Sequence, residues 1–410
     1  MRIEPFRGLR PRADRAAAIP SLPYDVVSTE EARAQAASNP DSFLRVVRSE
    51  VDLPGDVDPY DARVYARARE NLRGMIADGR LVHDPRPAYY AYRLAVSGHR
   101  QTGIVAASSV DDYLDGRIRK HEFTRPRKED DRVRHIDTVG AQCGPVLLTY
   151  RDDDGIDAAV ARITERVADV DFTADDGVRH ELWLVDGPGE VADLRERFAA
   201  VPVTYIADGH HRAASAARVA AARRESSGPG PWDRFLTILF PCGQMRVLEY
   251  IRLVRDLAGL DVPTVLDRIG DAGFEVREEV AVQRPSSPGT FGVVLGDGRW
   301  RSIRLPETPR TADPVESLDV AILSERVLQP ILAIGDPRTD PRIEFVGGGR
   351  GPEELERRVA SGEFAIGFSL HPTRLADVLD VADAERVMPP KSTWFEPKAR
   401  SGMVILDLEI

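Results

Sequence analysis

Between residues 144 and 240, short apolar runs alternate with stretches of helical periodicity. GPVLLTY (144–150) is followed by a segment at 156–170 whose Ile156, Val160, Ile163 and Val167 share one face. HELWLVD (180–186), a helical pattern at 189–200, VTYIAD (203–208), an Ala-rich run from Gly209 and FLTILF (235–240) complete the series. Runs of this length, separated by helix-length spacers, imply strands layered against helices rather than a bundle or a sandwich. The expected fold class is therefore α/β with a mixed sheet.

The flanks carry their own punctuation. Ser28 and Glu31 have the spacing of a capping box, predicting a helix over 28–39 that stops at Asn39-Pro40. A longer helix opens after Asp58-Pro59, with Val64, Ala68, Leu72, Met75 and Ile76 as its apolar stripe and Gly79 as its end. Residues 87–96 and 102–110, split by the polar SGHRQ, read as a hairpin, and 245–254 as a further strand. Joints are expected near 111 and 260. They delimit an amino-terminal α/β region (1–110), a central core (111–258) and a carboxyl-terminal α/β region (259–410) with a possible lid loop at 388–402.

Composition narrows the function classes. The 410 residues hold only two cysteines, Cys143 and Cys242, too few for a disulfide framework or a four-thiolate zinc site. No run reaches the roughly 18 apolar residues of a membrane span, and no signal-like segment opens the chain, so a cytoplasmic location without membrane partners is expected. The net charge of −11 disfavours nucleic acid as the main partner. Oligomeric state has no signature in the sequence.

Three constellations could carry chemistry. The segment 117–134 holds eight Arg or Lys and four Asp or Glu, a local excess of +4 that points to an anionic ligand. It also reads as a solvated helix whose ions pair among themselves. His121-Glu122 lacks the second histidine of a zincin, since Arg125 stands four beyond His121. The second constellation, Asp208-Gly209-His210-His211-Arg212, falls where a strand ends and a helix begins. Gly209 would let backbone approach a ligand, the helix amino terminus would favour an anion, and Arg212 offers a fork for phosphate. Asp208 could hold Mg²⁺ or accept a proton; zinc ligation by the histidines and plain helix capping are the alternatives. The third, Lys391-Ser392-Thr393, echoes the end of a Walker A loop, but Pro389 and Pro390 replace its glycine context. It folds either over a phosphate or as a stiff loop packing Trp394 and Phe395.

These segments also carry a family resemblance. PFRGLRP (5–11), PYDVVS (23–28), SFLRVVRSE (42–50), KHEFTRPRKEDDR (120–132), ADGHHRAASAAR (207–218), LDVAILSERVLQPILAI (318–334) and MPPKSTWFEPK (388–398) resemble the domain-of-unknown-function-1015 family over essentially the whole chain. The middle of the chain is similar to the ParB/sulfiredoxin superfamily, in particular its free L-serine kinases. In these, a His-Glu element, a Pro-Val-type strand and an Asp-Gly-His-His/Thr-Arg strand end follow in order. Here the order is His121-Glu122, Pro145 through Leu148, and Asp208 through Arg212.

The resemblance implies a ParB/sulfiredoxin-like core and a Mg²⁺-dependent kinase that phosphorylates serine or a related small metabolite from ATP or ADP. Glu122 would take the hydroxyl proton, and Asp208 would assist it or bind Mg²⁺. Gly209, His210, His211 and Arg212 would hold the nucleotide phosphates, with His121, Arg125, Lys128, Lys391, Ser392 and Thr393 as further candidates. The insertion between Glu122 and Asp208 departs from a compact kinase of this type and puts the acceptor in question. The alternatives are a nucleotide-binding, ParB-like regulatory or DNA-partition-related protein, and a nucleotide hydrolase.

Overall fold

The computed structural model describes residues 1–307, 311 and 313–410. The chain divides into two compact units, residues 1–245 with 397–410, and residues 246–396. The sequence joints near 111 and 260 divide it differently. The hairpin before 111 is hydrogen-bonded into the same sheet as the strands after it, and the last fourteen residues return to the first unit.

The first unit is built on nine strands: β1 (Ile3–Glu4), β2 (Tyr89–Val96), β3 (His99–Ser109), β4 (Ile118–Arg119), β5 (Val146–Tyr150), β6 (Val170–Thr173), β7 (Arg179–Val185), β8 (Thr204–Asp208) and β9 (Arg234–Pro241). Their order is β4-β8-β5-β9-β3-β2-β7-β6, with β1 added on β3. The β4-β8 and β5-β9 pairs are parallel and the rest antiparallel, so the sheet is mixed as expected. Its longer helices are α1 (Thr29–Ser38), α2 (Ala62–Ala77), α3 (Pro126–Val139), α4 (Asp154–Ile163), α5 (Pro188–Ala200) and α6 (His210–Ser227). The capping box of α1 is present in full, with the Glu31 amide donating to Ser28 Oγ and the Ser28 amide to the Glu31 carboxylate.

Local expectations are corrected at two places in this unit. The hairpin turn is tighter than the SGHRQ spacer suggested. Ser97 and Gly98 both take positive φ, and His99 to Gln101 already belong to β3. This is the two-residue turn whose twist suits paired strands. The helix expected over 156–170 ends at Ile163, and Val167 is 94% exposed rather than on the buried face. The chain must leave α4 there to enter β6, which pairs with β7.

The core of the first unit is formed by alternating inward residues of the sheet, such as Ile104, Val146, Leu148 and Ile206, against Ile156, Leu194, Phe198 and Ala216 of α4, α5 and α6. The second unit is an antiparallel six-stranded sheet with its own core of Val293, Phe291, Ile303 and Phe368 under Leu323, Val327 and Leu332. The 245–254 strand breaks after Leu248: Arg246–Leu248 pairs with Trp394–Glu396, and Tyr250–Val254 joins the six-stranded sheet. Among the described residues no helix is long and apolar enough to cross a membrane.

Candidate functional site

The site forms where β8 gives way to α6. The β8-β5 register slips between Ile206 and Asp208, so the last residue of the strand is re-aimed. Bulges do this at sheet edges and sites. Gly209 follows with φ 99° and ψ 29°, a left-handed conformation that turns the chain into the helix without a side-chain cap. The first amides of α6 therefore keep no intrahelical acceptor. A Cβ on Gly209 would lie 2.9 Å from Arg212 Nε, and that Nε is buried without a hydrogen-bond partner among the described residues.

A second helix terminus is brought alongside. Arg125 precedes Pro126 at the start of α3, and its backbone amide donates to His211 Nε2 at 3.0 Å. Helices α3 and α6 pack side by side, pinned by Ser215 Oγ on the Glu129 carbonyl and by Arg218 on Glu129 and Asp130. Two positive helix ends thus converge on one region, and anions are favoured there. Part of the charge run 117–134 is paired as in the solvated-helix reading. Lys128 lies with Arg127 over the ring of Tyr60.

Glu122 sits with its carboxylate 3.8 Å from His210 Nδ1, and its side chain is 38% exposed. His210 Nε2 accepts from the His121 amide at 3.5 Å, which leaves the Nδ1 proton facing Glu122. The His121 and His210 rings meet edge to face, 4.5 Å apart. Burial pushes the His121 imidazole down to about 4, and burial followed by the neighbouring His121 holds His210 well below its ordinary value. Both rings are neutral near pH 7, so they position groups rather than supply charge.

Arg212 is turned inward. Its Nη2 donates to Asp208 Oδ2 at 2.9 Å and its Nη1 to the Pro145 carbonyl. The other Asp208 oxygen lies 3.7 Å from Lys398 Nζ, and Lys398 is buried. Sequence reasoning missed Lys398, although it is the second lysine of the MPPKSTWFEPK motif. Of the motif's other candidates, Lys391, Ser392 and Thr393 belong to the second unit. There Ser392 Oγ donates to the Pro389 carbonyl, Lys391 Nζ lies over the Tyr250 ring, and the Ser392 carbonyl accepts from Thr373.

The structure thus gathers Glu122, Asp208, Gly209, His210, His211, Arg212, His121, the Arg125 amide and Lys398. Among the described residues no group of three His, Cys, Asp or Glu side chains could hold a metal ion. The arrangement offers a half-exposed carboxylate, an anion-favouring backbone and a buried ammonium beside a carboxylate.

No curated protein matches the chain. Among solved structures, it is similar to a free serine kinase in complex with AMP at 16% identity, over 72% of this chain and 86% of that one, with a TM-score of 0.36. It is similar to a conserved hypothetical protein from Pyrococcus furiosus at 16% identity, over 75% and 96% of the two chains, with a TM-score of 0.36. Likeness to the C-terminally truncated SbnI of Staphylococcus aureus is 12% in identity, over 74% and 87% of the chains, with a TM-score of 0.38. The family profile described as "Protein of unknown function (DUF1015)" matches residues 3–321, which carry most of the site, and the chain belongs to that family.

Proposed function

We propose that the chain is a nucleotide-dependent phosphotransferase acting on the hydroxyl of a small metabolite, serine or a relative. The observation that carries this reading is the convergence of the α3 and α6 amino termini through the Arg125 amide and His211, with Glu122 alongside. Phosphoryl transfer needs positioning and positive potential more than covalent chemistry, and this arrangement supplies both. The motif resemblance to free L-serine kinases points the same way.

The nucleotide phosphates lie on the uncapped amides at the start of α6, beside Gly209. Lys398 adds charge from the carboxyl-terminal segment. Glu122 accepts the proton of the attacking hydroxyl while the new O–P bond forms and the bond to the leaving nucleotide breaks. Neutral His210 stands beside the Glu122 carboxylate, its Nδ1 3.8 Å away. Asp208 is already set against Arg212 and Lys398, so the residues present do not fit a resident Mg²⁺ held by Asp208. The donor nucleotide, ATP or ADP, enters as its Mg²⁺ complex.

The test is phosphorus NMR of the purified protein with ATP or ADP, Mg²⁺ and L-serine. A new phosphomonoester signal that requires the acceptor supports the reading. The exposure of Glu122 favours one second reading, a hydrolase with water as acceptor. Phosphate release that is indifferent to L-serine would establish it, and nucleotide binding without turnover would point to a regulatory role.

A further inference from the structure

The second unit holds a cavity of about 400 Å³, within the range of small-ligand sites. The strands Thr290–Leu295 and Ile366–Leu370 are paired neighbours, and the cavity lies where the first begins and the second stops. Its described lining residues all belong to this unit.

Asp319 sets the chemistry of the lining. One of its carboxylate oxygens accepts from the Gly289 amide at 2.8 Å, and the other is buried with no hydrogen-bond partner among the described residues. Burial pushes this carboxyl up to about 6, with Asp377 adding to the effect and Arg374 opposing it, so it is ionised at neutral pH. The other charged groups of the lining cancel. Arg374 gives Nε at 2.9 Å and Nη2 at 2.6 Å to Asp377. Burial lowers the His371 imidazole below its ordinary value, which leaves it neutral at pH 7. The described lining therefore carries one net negative charge, that of Asp319.

Hydrogen-bonding capacity points the same way. Ser317 Oγ already donates to the Pro314 carbonyl and Thr373 Oγ1 to the Ser392 carbonyl, so both hydroxyls are left as acceptors. A buried carboxylate with an unused oxygen costs stability, and a cation with several N–H donors removes that cost. Pro288, Leu318 and Pro372 supply apolar lining for a hydrocarbon stem.

We propose that this cavity binds a small organic cation, a primary ammonium group on a short aliphatic stem, anchored by Asp319. Among the described residues no three ligating side chains come together, so the donor set suits an ammonium rather than a metal ion. The site goes beyond the phosphotransferase reading and does not depend on it.

The experiment is ligand-observed NMR titration of the full chain at neutral pH with n-butylamine, its uncharged analogue n-butanol, and Mg²⁺ as competitor. The amine should bind at least about tenfold more tightly than the alcohol, the gain expected for a charge-assisted hydrogen bond. Asp319→Asn should bring the amine down to the level of the alcohol in a chain that still unfolds cooperatively. Ser317→Lys is the second variant: on an exposed lining residue it supplies an ammonium of its own, and it should exclude the amine even if Asp319→Asn fails to fold. Equal affinity for amine and alcohol, amine binding that survives Ser317→Lys, or full displacement of the amine by equimolar Mg²⁺ overturns the proposal.

Discussion

Lys398 places its ammonium 3.7 Å from the Asp208 carboxylate, on the oxygen that Arg212 leaves uncovered. The pair ties the carboxyl-terminal segment to the end of β8. Lys398→Met preserves the buried stem and removes the charge. Nucleotide affinity should fall by about 1.5 to 3 kcal/mol, the range for a hydrogen bond to a charged group. Melting should shift little, since Asp208 retains Arg212. An unchanged nucleotide dissociation constant would remove Lys398 from the phosphate site.

Glu122→Gln keeps the shape of the side chain and deletes the base. Turnover with L-serine should drop by about 10² to 10⁴, the usual worth of a positioned proton acceptor, with nucleotide affinity retained. Normal turnover in this variant would refute the assignment.

Gly209→Ala meets two penalties. A left-handed backbone disfavours any Cβ by about 1 kcal/mol or more, and this one would press on the Arg212 guanidinium. Loss of stability and of nucleotide binding should appear together in urea unfolding and titration. A variant as stable as wild type, binding nucleotide normally, would show that the turn does not form the cradle.

Acid sensitivity follows from the buried imidazoles. Burial holds both His121 and His135 near 4 in the fold, against 6.5 for the free group. The unfolded chain therefore binds more protons between these values. The stability the neutral rings contribute is intact above about pH 6.5 and is lost as the pH falls toward 4, by up to about 1.4 kcal/mol per pH unit for each ring. The urea midpoint should fall between pH 7 and pH 5, and His135→Gln, away from Glu122, should flatten that fall. A variant with the wild-type slope would contradict the neutral, buried state of His135.

Local signals are legible where one element decides its own form. The capping box of Ser28 and Glu31, the stripe of α2 and the strand-glycine-helix turn at Asp208 to Arg212 all depend on neighbours a few residues away. Val167 shows the limit. It continued an apolar period that looked helical, yet the pairing of Val170–Thr173 with β7 took the chain out of the helix first.

The sequence by itself determined the alternation of strands and helices, the mixed α/β class and the residues that end β8 and start α6, because propensity, patterning and turn chemistry act at short range. Only the tertiary structure decided that His121 and His210 are neutral, that Arg212 faces Asp208 and the Pro145 carbonyl, and that Lys398 rather than Lys391 stands beside Asp208. Burial and juxtaposition arise from which strands become neighbours in the sheet, and β8 lies between β4 and β5, strands distant from it in the chain.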